Sequence, residues 1–242
     1  ITANPQIEYI QNELENLGTL TTIELKEYSP EKVAELAGDV EVLISGPSGI
    51  PRIDKELVGQ LPDLKLICTL SVNTTWLDLE YLTQRGIAVC NIKGANAEAV
   101  AHHTWAMILD LAKRVTEFDR DARFQGEYKF ANYKGKEIYG KTIGIIGLGD
   151  IGTKVARIAG AFDMRVIGLN KSGKEVAGVE IVNLQQLLEE SDVVVICAPL
   201  TNETKDLIDT EEIEAMKDGV ILVNTSVEEV VNGERLVFIG WI

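Results

Sequence analysis

Thr142-Ile143-Gly144-Ile145-Ile146-Gly147-Leu148-Gly149-Asp150-Ile151-Gly152 is the stretch that decides the fold of this chain. Its first five residues form a short apolar, β-branched run, the pattern of a strand buried on both faces. Gly147, Gly149 and Gly152 follow in G-x-G-x-x-G spacing, and each has its own physical task. The first allows a tight turn out of the strand, the second lets a pyrophosphate approach the backbone, and the third lets the next helix pack closely. A helix over 151–162, opening near Asp150, directs free N–H groups and a positive dipole end at that pyrophosphate. The same spacing in isolation is equally a glycine-rich turn of some other α/β protein. Here a strand precedes it, a helix follows, and a second strand over 165–169 completes the unit. The stretch is predicted to bind a dinucleotide, with Gly147, Gly149, Asp150, Ile151 and Gly152 at the phosphates.

The end of the second strand bears on which dinucleotide. A carboxylate about 20 residues past the glycines holds the ribose 2′-hydroxyl of NAD. This chain has Asn170, then Lys171 and Ser172. An amide, an ammonium and a hydroxyl can all donate to a 2′-phosphate, which a carboxylate would repel. The alternative is that Asn170 serves the hydroxyl of NAD and Lys171 is a solvated loop lysine. The balance favours NADP, with NAD as the alternative.

The 242 residues are 45% apolar, enough for two domains with their own cores. Acidic residues outnumber basic ones 38 to 23, for a formal charge of −15. That excess opposes nucleic-acid and anionic-membrane binding, both of which need a basic face. Cys68, Cys90 and Cys197 all lie in apolar, strand-like runs. An odd number of buried-looking thiols indicates a reducing compartment and no disulfide framework. No spacing suits a metal, and no apolar run reaches membrane-spanning length. These features predict a soluble, cytoplasmic protein.

A helix over 5–17 stops at Gly18, and helices and strands then alternate up to residue 92: helix 30–37, strand 40–45, helix 53–60, strand 64–70, helix 77–85, strand 87–90. That rhythm predicts βαβ units and a parallel sheet. Residues 91–94 read as a hinge, followed by one long helix over 95–115. The stretch 118–139, with Phe124, Tyr128, Phe130 and Tyr133, reads as irregular. It is either an arm packing on a partner subunit or a loop covering its own core. Strands over 192–197 and 220–224, and helices over 184–190 and 210–217, complete the second half.

Five ordered blocks resemble the D-isomer-specific 2-hydroxyacid dehydrogenases, the family of glyoxylate/hydroxypyruvate reductases, phosphoglycerate dehydrogenase and formate dehydrogenase. They are the Gly147–Gly152 fingerprint and residues 85–91, 94–101, 191–201 and 219–225. The resemblance implies an α/β fold of two doubly wound parallel-sheet domains, with cofactor and substrate in the cleft between them. A flavodoxin-like substrate domain would occupy 1–92 and a Rossmann dinucleotide-binding domain 93–242, with the tail 236–242 discontinuous. The implied function is interconversion of a small 2-oxo acid and its D-2-hydroxy acid by hydride transfer. The same resemblance places Ala198, Pro199, Leu200 and Thr204 under the adenosine and ribose. It sets Thr225 and Ser226 beside the nicotinamide and Thr104 near the nicotinamide end. The amides of Val72 and Asn73 match a loop that holds the substrate carboxylate, although that loop usually carries glycines. The region 95–139 corresponds to a two-fold interface, which implies a homodimer.

The chemistry is where the chain departs. The family's carboxylate-gripping Arg falls at Val227, which cannot supply a bidentate cation. The family's catalytic Glu and His belong to a later segment that the sequence does not show, so the catalytic residues stay unknown. Two explanations stand: residues omitted between Asn232 and Leu236, after Phe238 and before Ile1, or a catalytically silent dinucleotide-binding sensor of the same fold. Omission is favoured. His102 and His103 are the remaining neutral-pH acid/base candidates. The resemblance puts an acid at the place of His102 and a structural histidine at that of His103.

Overall fold

Strand β4 (Thr142–Ile146) lies at the centre of a five-stranded parallel sheet, and its side chains alternate between two cores. The computed structural model describes residues 11–23, 25, 27–124, 134–171, 173 and 175–232. It divides the chain into two units, Ile1–Ala95 and Asn96–Ile242.

In the second unit the strands are β4, β5 (Arg165–Leu169), β6 (Glu180–Ile181), β7 (Val193–Ile196) and β8 (Ile221–Asn224). Their order is β6-β5-β4-β7-β8. The chain moves outward one way to β5 and β6, then returns to the other side of β4. This reversal makes the unit doubly wound and opens a crevice at the carboxyl ends of β4 and β7, where such sheets take ligands. Ile143 and Ile145 of β4, with Val193 and Val195 of β7, face helices α5 (Ala97–Lys113) and α7 (Asp150–Ala161). Ile146, Val194 and Ile196 face the opposite way, with Leu187 and Leu188 of α8 (Leu184–Glu190). A strand covered on both sides must be apolar at every position, which explains the unbroken run. Gly144 is the exception. A Cβ there would stand 2.2 Å from Ser191 Oγ and 2.7 Å from Leu187 Cδ2, so α8 can pack this closely only over a glycine.

α5 and α7 are fastened in two ways. Trp105 stacks on Phe162, ring centres 4.7 Å apart, and its indole N–H donates to the Val155 carbonyl at 3.2 Å. On the surface, Glu98 accepts from Lys154 at 2.7 Å and Arg157 at 3.2 Å.

Two sequence expectations are corrected here. The helix expected over 95–115 stops at Lys113, because Arg114 turns left-handed at φ 57°. A new helix, α6 (Val115–Phe124), then occupies the start of the stretch expected to be irregular. Local polar contacts explain the restart: Asp110 accepts from the Thr116 amide at 2.7 Å, and the Arg114 guanidinium pairs with Glu117. Phe124 is 82% exposed. Tyr128, Phe130 and Tyr133 lie outside the described residues. A further helix, α9 (Thr210–Ala215), opens with a capping box between Asp209 and Glu212.

The first unit is a three-stranded parallel sheet in the order β1-β2-β3, with β1 at Val42–Ser45, β2 at Leu66–Thr69 and β3 at Ala88–Cys90. Helices α1 (Gln11–Glu15), α2 (Pro30–Ala37), α3 (Lys55–Val58) and α4 (Leu79–Gln84) accompany it. Ser29, Asp54 and Asp78 cap the last three. These caps satisfy helix N–H groups that have no partner within the helix. The core joins Leu43, Ile53, Leu57, Ile67, Trp76 and Leu82. The cysteines are less buried than their apolar surroundings suggested: Cys90 is exposed on β3, an edge strand, and Cys68 and Cys197 are half-buried. The described part of the first expected helix is α1, and the tail 236–242 lies outside the described residues.

Candidate functional site

Gly147 takes φ +96° and carries the chain from β4 into α7. A side chain there would be strained, and its Cβ would also stand 2.7 Å from the Ala198 amide. A Cβ on Gly152 would lie 2.0 Å from the Gly147 carbonyl oxygen, so the first turn of α7 can close only on a glycine. Gly149 differs from both. It has extended backbone, and a Cβ there would meet nothing within 4 Å. No side chain caps α7, whose N-cap is Gly149 itself. The first N–H groups of the helix, at Asp150 and Ile151, therefore keep their donors for a group placed over the open ground at Gly149. A bare helix N-terminus with a cleared approach fits a pyrophosphate.

The loop after β5 begins with Asn170 and Lys171. Lys171 is exposed, and its ammonium pairs with the carboxylate of Glu203, a residue the sequence reading did not single out. Ser172 lies outside the described residues. The loop after β7 is organised by Thr204, whose hydroxyl donates to the Pro199 carbonyl at 2.6 Å and accepts from the Thr201 amide at 2.7 Å. Ala198 is buried while Pro199 and Leu200 are exposed, so this loop offers an apolar rim beside the glycine turn. After β8, the Thr225 hydroxyl donates to Ile196 at 3.1 Å and the Ser226 hydroxyl donates to the carbonyl of Ala198. The Asn224 side chain turns this segment by accepting from the Ser226 amide at 2.9 Å and donating to the Val227 carbonyl at 3.0 Å. The structure thus gathers the ends of β4, β7 and β8 through direct contacts.

Cys197 sits among these strand ends, 3.6 Å from the Thr225 hydroxyl. Burial pushes its thiol up to about 11, against the opposing effect of that hydroxyl. It is a neutral wall of the site at ordinary pH and not a nucleophile.

In the first unit, the loop after β2 follows a path that needs no left-handed residue at Asn73. The Asn73 side chain accepts from the Thr75 amide at 2.8 Å. Two side chains outside the sequence-derived set reach this loop: Asn91 Nδ2 donates to the Val72 carbonyl at 3.0 Å, and Trp76 Nε1 to the Asn73 carbonyl at 2.9 Å. A shallow pocket beside it is lined by Pro51, Arg52 and residues 75–78.

The family description "D-isomer specific 2-hydroxyacid dehydrogenase, NAD binding domain" matches residues 105–239, more than half of the chain. The chain belongs to this family. Glyoxylate reductase of Aeropyrum pernix is 40% identical over 204 residues, which are 79% of this chain and 61% of that protein. The chain therefore spans about three fifths of that relative's length. Among solved structures, the D-lactate dehydrogenase of Aquifex aeolicus, complexed with NAD and lactic acid, is 30% identical with a TM-score of 0.81. The match covers 97% of this chain and 70% of that one. An acyclic imino acid reductase in complex with NADPH and D-Arg is 26% identical with a TM-score of 0.85, over 96% of this chain and 74% of that one. As an NAD-binding-domain member of the dehydrogenase family, the chain carries an NAD(P)-binding doubly wound unit.

Four further residues of the dehydrogenase reading, Thr104, His102, His103 and Val227, lie on α5 and after β8. Thr104 is fully buried, and its hydroxyl donates to the Val100 carbonyl at 2.7 Å. His102 and His103 are both exposed on α5, and His102 Nε2 lies 3.9 Å from Glu98. Val227 is exposed at the entry to the short turn Glu228–Val230. Nothing in the structure explains a valine at that place. Glu203 was missed because its role depends on two loops that meet only in the fold. The only signal in the sequence was its position between Thr201 and Thr204.

Among the described residues, no helix is long and apolar enough to cross a membrane.

Proposed function

We propose that this chain is the dinucleotide-binding part, with much of the substrate domain, of an oxidoreductase that interconverts a small 2-oxo acid and its D-2-hydroxy acid. The observation that carries the reading is the uncapped N-terminus of α7 behind the open approach at Gly149. Family membership supports it, as does the Aeropyrum relative's name, glyoxylate reductase. A bound nicotinamide dinucleotide supplies or accepts the hydride. The chain's own part is to bind and orient: Gly147, Gly149, Asp150, Ile151 and Gly152 at the pyrophosphate, Ala198, Pro199, Leu200 and Thr204 along the adenosine and ribose, and Thr225 and Ser226 beside the nicotinamide. The unit Ile1–Ala95 serves the substrate, with the Val72 and Asn73 amides receiving its carboxylate.

NADP is the preferred dinucleotide in this reading. Asn170 stands where a carboxylate would repel a 2′-phosphate, and exposed Lys171, with Ser172 next in sequence, supplies a cation and a hydroxyl. The Glu203 pair competes for that lysine, but exposed ion pairs contribute little and yield to a dianion. The protein works as a homodimer in the cytoplasm. Exposed Val115 and Phe124 on α6 support an interface, and three free cysteines suit a reducing compartment. Light scattering should give twice the mass of one chain.

The test is calorimetric titration with NADPH and NADH, followed by glyoxylate-dependent oxidation of the reduced dinucleotide. Binding of NADPH in preference to NADH, with turnover, is the expected result. A folded chain that binds neither dinucleotide would overturn the proposal.

A further inference from the structure

We infer that Trp76 and Asn91 are positioning residues for the carboxylate of the substrate, an inference that rests on the oxidoreductase reading above. Residues 72–74 have all three carbonyls engaged: Val72 by Asn91 Nδ2 at 3.0 Å, Asn73 by Trp76 Nε1 at 2.9 Å, and Thr74 by the Leu77 amide at 3.0 Å. The N–H groups of the same three residues have no acceptor among the described residues. Each carbonyl is taken while each donor is left over.

The peptide group turns that asymmetry into a device. In a planar trans peptide, the carbonyl of one residue and the N–H of the next point in opposite directions. Holding the Val72 carbonyl fixes the direction of the Asn73 N–H, and holding the Asn73 carbonyl fixes that of Thr74. Two successive donors are thereby set before any anion arrives, and runs of backbone N–H groups are sites for anions. An exposed carbonyl needs no side-chain donor, since water serves it equally well. What an indole and an amide add is a fixed direction for the N–H on the far side of the peptide.

Both holders are themselves fixed. Trp76 is buried in the core of the first unit, its own carbonyl accepts from the Ile53 amide at 2.9 Å, and Asp78 donates back to Ile53 at 2.9 Å. Asn91 directly follows β3, whose last residue, Cys90, pairs with Cys68 of β2. The loop is therefore suspended from two strands and the core. The Asn73 and Thr74 amides, so directed, join that of Val72 as donors to the anion.

The experiment compares oxamate, a non-reducible 2-oxo acid isostere, binding to the parent chain, Trp76→Phe and Asn91→Ala, each with saturating NADPH or NADH. Trp76→Phe keeps the aromatic packing and deletes the donor, while Asn91→Ala deletes the other donor at an exposed position. Each variant should bind oxamate about three- to tenfold more weakly, the worth of one neutral hydrogen bond, with dinucleotide affinity unchanged. Amide resonances of Asn73 and Thr74 should shift on adding oxamate to the parent and shift less in the variants. If glyoxylate turns over, KM should rise while kcat holds, the signature of lost uniform binding. Parent-like oxamate affinity in both variants overturns the positioning role and leaves the oxidoreductase reading standing. A parent chain that binds dinucleotide but no oxamate overturns both.

Discussion

The carbonyl oxygen of Gly147 lies 2.0 Å from the point where a Cβ on Gly152 would stand. Turn and helix thus meet backbone to backbone, and the obstructing atom is not the end of a flexible side chain that could move aside. Gly152→Ala should therefore destabilise the protein by about 2 kcal/mol, in the range of overpacked sites. It should also weaken dinucleotide binding, because the helix N-terminus is displaced. Chemical denaturation read alongside NADPH titration checks both effects.

Gly149 separates binding from folding. Its Cβ would enter empty space, so Gly149→Val should fold with near-parent stability. The valine would occupy the approach to the N–H groups of α7, and dinucleotide binding should fall below detection by calorimetry. Unchanged binding in a folded variant would show that the pyrophosphate lies elsewhere.

Lys171 and Glu203 make the cofactor preference adjustable. Lys171→Ala should weaken NADPH binding about tenfold, a charge-assisted bond discounted for exposure, and barely alter NADH. Glu203→Gln should act in the opposite sense and strengthen NADPH, since the lysine loses its competing partner. Asn170→Asp should favour NADH by accepting from ribose hydroxyls and repelling the phosphate. Equal losses of both cofactors in Lys171→Ala would remove the lysine from the phosphate site.

Thiol reactivity should follow burial. Cys197, its thiol pushed up to about 11 by burial, is about 0.1% thiolate at pH 8, and Cys68 is also raised by burial and by its neighbour Cys90. Cys90 is exposed. Iodoacetamide at that pH should modify Cys90 first and Cys197 last, as peptide mapping would record. Early modification of Cys197 would mean that the strand ends open readily.

Acid sensitivity should involve Asp192. Burial raises its carboxyl, but the Thr142 amide at 2.9 Å and Lys217 at 3.3 Å outweigh that and hold it below the usual range. A depressed folded value adds stability above the unfolded pKa of about 3.9 and loses it as pH falls through the lower folded value. Asp192→Asn should lower the melting temperature at pH 7, and the difference from the parent should shrink below about pH 4. A gap that stays constant across that range would assign the effect to geometry and not to charge.

The sequence by itself determined the βαβ rhythm, the glycine turn and the family. Each is written in short-range chemistry: β-branched runs at Thr142–Ile146 and Arg165–Leu169, and glycines whose spacing matches one turn and one helix start. Arg114 shows where local reading stops, because a left-handed break that divides α5 from α6 has no glycine to announce it. The residues that complete the site were decided only by tertiary structure. Glu203 reaches Lys171 across 32 positions, and Asn91 reaches the Val72 carbonyl across 19. Neither contact is announced by local spacing, because hydrogen bonds between loops depend on where the sheet brings their ends. On α5 the Thr104 hydroxyl donates to the Val100 carbonyl one helical turn away, a partner that spacing alone does not announce.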